Sequence, residues 1–170
     1  VVRERDDACE PVLAAAKEVG ARVWVVSEYG LVDVDQPVLL NRVLRQNGFL
    51  SVRPGPFGDI LDTFGSRAFA VVDHQIAHVY VKSPADLQAV RELIAAQPGV
   101  GKVYTGEERT EIGLNHPLAG ELVALAQPKS WFAYPFWLDQ KHEPDYARTI
   151  DIHRKPGYDP CEMLFDPKLI

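Results

Sequence analysis

The chain has 170 residues, a formal charge of −6, 46% apolar and 25% charged residues, an ordinary balance for one globular domain. The acidic excess argues against a general nucleic-acid binder, whose phosphate contacts need clustered Lys and Arg. No apolar run approaches the ~20 residues of a membrane span, and no signal-peptide core is visible.

Two cysteines, Cys9 and Cys161, make no disulfide framework and are expected as free, partly buried thiols. The chain opens on Val1, and VVRERDDACEP looks like mid-protein sequence. A fragment of a longer protein is therefore expected, with its first part upstream. A cytoplasmic location and no membrane contact are the working expectation.

Residues 5–19 (RDDACEPVLAAAKEV) read as a helix, with Val12, Leu13, Ala16 and Val19 at helical spacing and Gly20 as the stop. Residues 22–27 follow as a strand whose apolar run is Val23 to Val26, expected to be parallel and buried on both faces. Residues 36–47 (QPVLLNRVLRQN) read as a second helix, with Pro37 in its first turn and Gly48 as the residue after its end. FLSV is a short strand, and the Gly- and Pro-rich RPGPFGDILDTFGS reads as a loop.

Residues 67–82 (RAFAVVDHQIAHVYVK) predict a hairpin turning at Asp73, His74 and Gln75. Ser83-Pro84-Ala85-Asp86 is a strong helix start. The helix it opens carries Leu87, Val90, Leu93 and Ile94 on one face. Residues 100–104 and 121–126 read as strands, and SWFAYPFWL is a dense aromatic block that suits a core better than a stacking platform. The tail from 139 to 170 is charged and rich in proline. The expected organisation is an α/β core part over 1–53, a small α+β cap-like unit over 54–112, and a return to the core with an irregular tail over 113–170.

Ligands of open α/β sheets gather at the carboxyl ends of the strands. The apolar run of RVWVVSEYG stops at such an end, so Glu28 and Tyr29 are candidates to face a crevice, and Gly30 would let the chain turn away. A carboxylate and a phenolate are hard oxygen ligands; alternatively they bond only to neighbouring backbone. A second candidate is His153 in TIDIHRKPGYDP, where an imidazole could bind a metal through one nitrogen or simply sit in a surface loop. Asp73, His74 and His78 are close in sequence but suit a turn and a satisfied histidine. His116 and His142 read as loop residues. No GxGxxG, P-loop, GxSxG or HExxH motif is present.

Two separated motifs share one resemblance. VWVVSEYGLVDVDQPVLLNRVLRQNGFL resembles the V-x-S-D-H-G-M segment and the following N-R-x-L helix of alkaline-phosphatase-superfamily phosphodiesterases. IDIHRKPGYDP resembles their late H-G-Y-D segment, with three residues here between His153 and Gly157. The closest group is the type I phosphodiesterase/nucleotide pyrophosphatase family.

The resemblance implies a mixed, mostly parallel α/β sheet flanked by helices, with a small inserted α+β subdomain. It implies a metal-dependent hydrolase of phosphate esters using two metal ions, commonly zinc. Glu28 and Tyr29 stand where the family has the Asp-His ligand pair of one metal, and His153 matches a ligand of the other. Tyr in place of His makes iron an option, since a phenolate favours a harder ion. The nucleophile belongs to the family's first half and is expected upstream of Val1. The implied partners are a small phosphate-ester substrate, no nucleic-acid polymer, and the upstream part of the same protein. The alternative is a non-catalytic ligand- or partner-binding member with a degenerate metal site.

Overall fold

The computed structural model describes residues 2–27 and 30–148. Glu28, Tyr29, His153, Cys161 and the whole IDIHRKPGYDP motif lie outside the described residues. The chain divides into two units, Val1–Val32 and Asp33–Ile170.

The first unit holds helix α1, Val2–Glu18, with Pro11 inside it. The helix closes as expected. The Ala21 amide donates to the Ala16 carbonyl, and Gly20 takes φ 65°, the left-handed turn that glycine enters without a Cβ penalty. Residues 21–27 are not a strand. Val23, Trp24, Val25 and Val26 are 48, 76, 92 and 84% exposed, and no strand among the described residues bonds to them. The expectation of a buried strand is overturned for a physical reason. Apolar composition makes burial favourable, but a parallel strand forms only where neighbours bond its edges and helices cover its faces.

The second unit opens with β1, Gln36–Val38, followed by α2, Leu40–Gln46. Pro37 therefore sits in a strand rather than in a helix's first turn. β1 runs parallel to β8, Ser130–Phe132, with Pro37 opposite Trp131. α2 ends where the sequence indicates, with Gly48 at φ 73°.

Residues 53–66, expected as a loop, contain a hairpin. β2 (Ser51–Gly55) pairs antiparallel with β3 (Gly58–Asp62), with Pro54 opposite Asp59 and Gly55 opposite Gly58. Pro54 lacks an N–H, but a two-stranded ribbon is all edge, where a missing donor costs little. The strand expected at 49–52 begins only at Ser51. Before it, the Phe49 carbonyl accepts from the amides of Arg67 and Ala68.

The predicted hairpin is present as β4 (Ala68–Asp73) and β5 (Ile76–Val81), joined by His74 and Gln75. His74 has φ 53°, the positive value that two-residue hairpin turns demand. The Ser83 hydroxyl accepts from the Ala85 amide and opens a short 3-10 turn at Pro84–Asp86 that leads into α3, Leu87–Ala95. β6 (Val100–Thr105) and β7 (Leu122–Ala126) complete an antiparallel sheet of order β4-β5-β7-β6. The last segment in sequence thus inserts between two earlier strands.

The core lies between the sheet and its helices. α2 supplies Leu40 and Leu44, α3 supplies Val90 and Ile94, and the sheet answers with Val79, Leu122 and Ala124, all fully buried. The alternation of β5 puts Ala77, Val79 and Val81 on the buried side. The aromatic block joins this core. Phe132, Phe136 and Trp137 are buried, and the last two meet edge-to-face at 5.5 Å. Each large ring so buried contributes roughly 2–3 kcal/mol.

Candidate functional site

The three expected metal ligands, Glu28, Tyr29 and His153, are outside the described residues, and so is any distance between them. Their described neighbours are informative. Ser27 and Gly30 are both exposed. A Cβ on Gly30 would meet nothing within 4 Å, and its φ is not in the left-handed region. The chain does not need glycine there, which corrects the expectation drawn from SEYG.

The other titratable groups singled out in the sequence are accounted for by local bonding. Asp73 and His74 approach to 3.7 Å at an exposed turn. His78 Nδ1 accepts from the Gly120 amide at 3.2 Å, and His116 Nδ1 from the Leu118 amide at 3.1 Å. Among the described residues no group of three His, Cys, Asp or Glu side chains could hold a metal ion. Cys9 is exposed on α1 rather than partly buried.

Among the described residues three groups, Arg67, Lys102 and Glu108, have a shifted pKa, all on the surface. The Asp86 carboxylate bonds to the Arg67 guanidinium and holds it above its ordinary value. The bond to Glu111 does the same for Lys102. The Thr105 amide, and after it Arg91, holds Glu108 below the usual carboxylate range.

One polar constellation was not visible in the sequence. Asp59 on β3 has a side chain only 8% exposed, and Arg45 of α2 reaches its Oδ2 at 2.8 Å. That contact is an ion pair without hydrogen-bond geometry, so Oδ2 is charge-compensated but not hydrogen-bonded. His142 Nδ1 stands 3.9 Å from Oδ1, and Arg45 also donates to the Phe136 carbonyl at 3.3 Å. Nothing in a single sequence marks this cluster, because its members come from three distant stretches. A buried carboxylate needs such partners, since an uncompensated charge in an apolar interior is costly.

The described elements define an α/β protein. The family of type I phosphodiesterases / nucleotide pyrophosphatases matches residues 1–159, and the chain belongs to that family. The matched span runs across both SEYG and His153. It makes the chain a member of a hydrolase family of phosphodiesterase and nucleotide pyrophosphatase type. A search of curated proteins found no match. A search of solved structures found none either. Among the described residues no helix is long and apolar enough to cross a membrane.

Proposed function

We propose that the protein takes part in metal-dependent hydrolysis of a small phosphate ester, a phosphodiester or a nucleotide pyrophosphate. Glu28 and Tyr29 would hold one metal ion and His153 the other. The observation that carries this reading is the family match over residues 1–159, which spans Glu28, Tyr29 and His153. The donor chemistry fits: a carboxylate, a phenol and an imidazole are oxygen and nitrogen ligands suited to zinc or iron. When bound, such ions supply Lewis-acid stabilisation of the phosphoryl oxygens.

The chain's own part is to present these donors in the right protonation states. Glu28 would donate through its carboxylate oxygens. Tyr29 must give up a proton whose ordinary pKa is about 10, which needs a neighbouring positive charge. His153 must be neutral to donate a nitrogen lone pair. No nucleophile is assigned within the 170 residues. The reading takes it from the upstream part of the same protein, and neither a nucleic-acid polymer nor a membrane is a partner.

The test uses the whole protein. Elemental analysis should find roughly two metal ions per chain. Glu28→Ala and His153→Ala should each lower metal content, and hydrolysis of bis(p-nitrophenyl) phosphate should fall by about 100-fold or more. A metal-free protein, or one whose hydrolysis ignores both substitutions, overturns the reading. Tyr29 in the histidine's place favours a second reading, a member that binds a phosphate ester without cleaving it. Ligand binding with no turnover at any metal loading would select it.

A further inference from the structure

Residues 114–120 (LNHPLAG) form the loop that leads into β7, the strand that lies between β5 and β6. Gly120 is buried, and a Cβ there would lie 2.6 Å from the Val79 nitrogen. The chain therefore rests directly on the backbone of β5. Two residues of the loop are gripped in the same way. At Leu118 the amide donates to His116 Nδ1 at 3.1 Å, and the carbonyl accepts from the Tyr80 hydroxyl at 3.1 Å. At Gly120 the amide donates to His78 Nδ1 at 3.2 Å, and the carbonyl accepts from Arg109 Nη1 at 2.7 Å.

The two sides of each grip respond differently to acid. An imidazole nitrogen accepts a hydrogen bond only while it carries no proton. Both amide bonds thus need neutral rings with the proton on Nε2. A proton added to Nδ1 turns the acceptor into a donor and sets it against the amide N–H. Imidazoles ordinarily take up that proton around pH 6.5, whereas a phenol and a guanidinium keep their donor protons throughout that range. Mild acid cuts the amide side of both grips and leaves the carbonyl side. The loss is sharper at Gly120, because a buried N–H without an acceptor is unfavourable.

Across the sheet His78 pairs with Val71 of β4 and Val123 of β7, both apolar. Strand alternation puts Asp73 of β4, Tyr80 of β5, and Lys102 and Tyr104 of β6 on the same face. Arg109 reaches the loop from the 3-10 turn Gly106–Ile112, and Glu121 follows it directly. The charged members have partners of their own. Asp73 faces His74 at 3.7 Å, Lys102 bonds to Glu111 at 2.8 Å, and the Glu121 carboxylate accepts from the Val81 amide at 2.8 Å.

We infer that residues 114–120 form a proton-released latch: neutral His116 shapes the loop, neutral His78 holds it on β5, and protonation of the two rings frees its amide side. The Tyr80 and Arg109 bonds stay, so the loop loosens about a retained attachment and does not unfold. The device sits at the entry to the inserted strand, where the sheet's order depends on the path the chain takes. Neither histidine is a candidate metal ligand, so the latch works whether or not a metal is bound.

The test is amide hydrogen exchange in the native protein, expressed relative to the unstructured rate at the same pH. From about pH 7.5 to about pH 5.5 the protection of the Leu118 and Gly120 amides should fall roughly tenfold. The Phe132 amide, bonded to the His74 carbonyl outside the loop, should hold its protection and so report that the fold is intact. His78→Asn and His116→Asn replace each ring by a carboxamide oxygen, an acceptor that does not titrate. Asn also accepts from an amide two residues on, as His116 does. The doubly substituted protein should keep both amides protected at both pH values. His78→Phe keeps a ring without the nitrogen and should leave Gly120 poorly protected at either pH.

Native amides that stay protected at the lower pH overturn the latch. Equal acid loss in the native and doubly substituted proteins overturns it too, since the opening then has another source. If His78→Asn does not fold, NMR titration of the native protein decides. One shared midpoint for the His78 ring and the Gly120 amide supports the latch, and separate midpoints overturn it.

Discussion

The Asn41 side chain bonds both backbone groups of Ala70: its Oδ1 accepts from the Ala70 amide at 2.8 Å, and its Nδ2 donates to the Ala70 carbonyl at 2.9 Å. β4 is an edge strand of the four-stranded sheet, so Asn41 supplies from α2 the pair of bonds that a fifth strand would supply. Both residues are buried. The Asn of the NRVL stretch, part of the resemblance to phosphodiesterases, is thereby given a structural task, closing the sheet edge, rather than a chemical one.

Asn41→Ala should therefore be among the costly substitutions in this chain. It removes two hydrogen bonds and leaves the amide and carbonyl of Ala70 buried without partners. The expected loss is about 3 kcal/mol, read from the urea midpoint at unchanged slope. Asn41→Leu, which preserves volume but not bonding, should cost nearly as much. A loss under ~1 kcal/mol for both would show that water reaches Ala70 and that the edge is not sealed.

The tryptophans should report the two units separately. Trp24 is 76% exposed, whereas Trp131 and Trp137 are 5% and 2% exposed, and the chain has three in all. Iodide should quench only part of the emission, and Trp24→Phe should abolish that part while leaving the blue-shifted remainder. If Trp24 instead resists iodide, residues 22–27 are covered in solution, and the strand character written into RVWVV is realised there.

That contrast shows what the sequence could and could not convey. The β4–β5 hairpin was legible because alternation and a turn signal are both local. So were the end of α2 at Gly48 and the helix start at Ser83. The β2–β3 hairpin was hidden, since Pro54, Pro56 and three glycines within 55–65 look like a loop until the two strands are paired. Residues 22–27 misled in the opposite direction, because four apolar residues indicate a wish for burial and not the presence of a cover. Asp59 was unreadable for a third reason. A buried ion pair joins stretches whose proximity only the fold creates. The candidate ligands came first from their place at a strand end and in a late loop and then from motif resemblance, and the family match bears out the family.

Glu108 should give the sheet's far end a local acid sensitivity. Its carboxylate accepts from the Thr105 amide at 3.0 Å at the start of the 3-10 turn Gly106–Ile112, and from Arg91. These bonds hold its pKa below the ordinary 4.5. A depressed folded-state pKa contributes stability that is present above about pH 4.5 and is lost as pH falls through the lower folded value. The Thr105 amide should thus exchange faster and shift in NMR spectra only in that acid range. Glu108→Gln should remove the pH dependence and leave exchange fast at every pH. An unchanged Thr105 resonance down to the unfolding transition would count against this capping role.

Tyr29 is the residue whose substitution separates the metal readings most cleanly. The family pattern has an imidazole in this place, and an imidazole suits zinc, whereas a phenolate is a harder, charged donor that suits iron. A site built on Tyr29 should load iron from a mixture of the two ions, and the phenolate–iron bond should give visible colour. Tyr29→His should abolish the colour, shift loading toward zinc and retain hydrolysis, because the ligand is exchanged rather than deleted. Tyr29→Phe keeps the ring but not the oxygen, and should weaken metal retention by about 10- to 100-fold. The sign of the pH effect follows as well. Metal binding through a phenol releases a proton, so retention by the native protein should rise with pH more steeply than retention by Tyr29→His. Metal titrations of the three proteins at two pH values decide the matter. Equal retention by the native protein and Tyr29→Phe would remove Tyr29 from the ligand set and leave Glu28 and His153 as the donors to be tested.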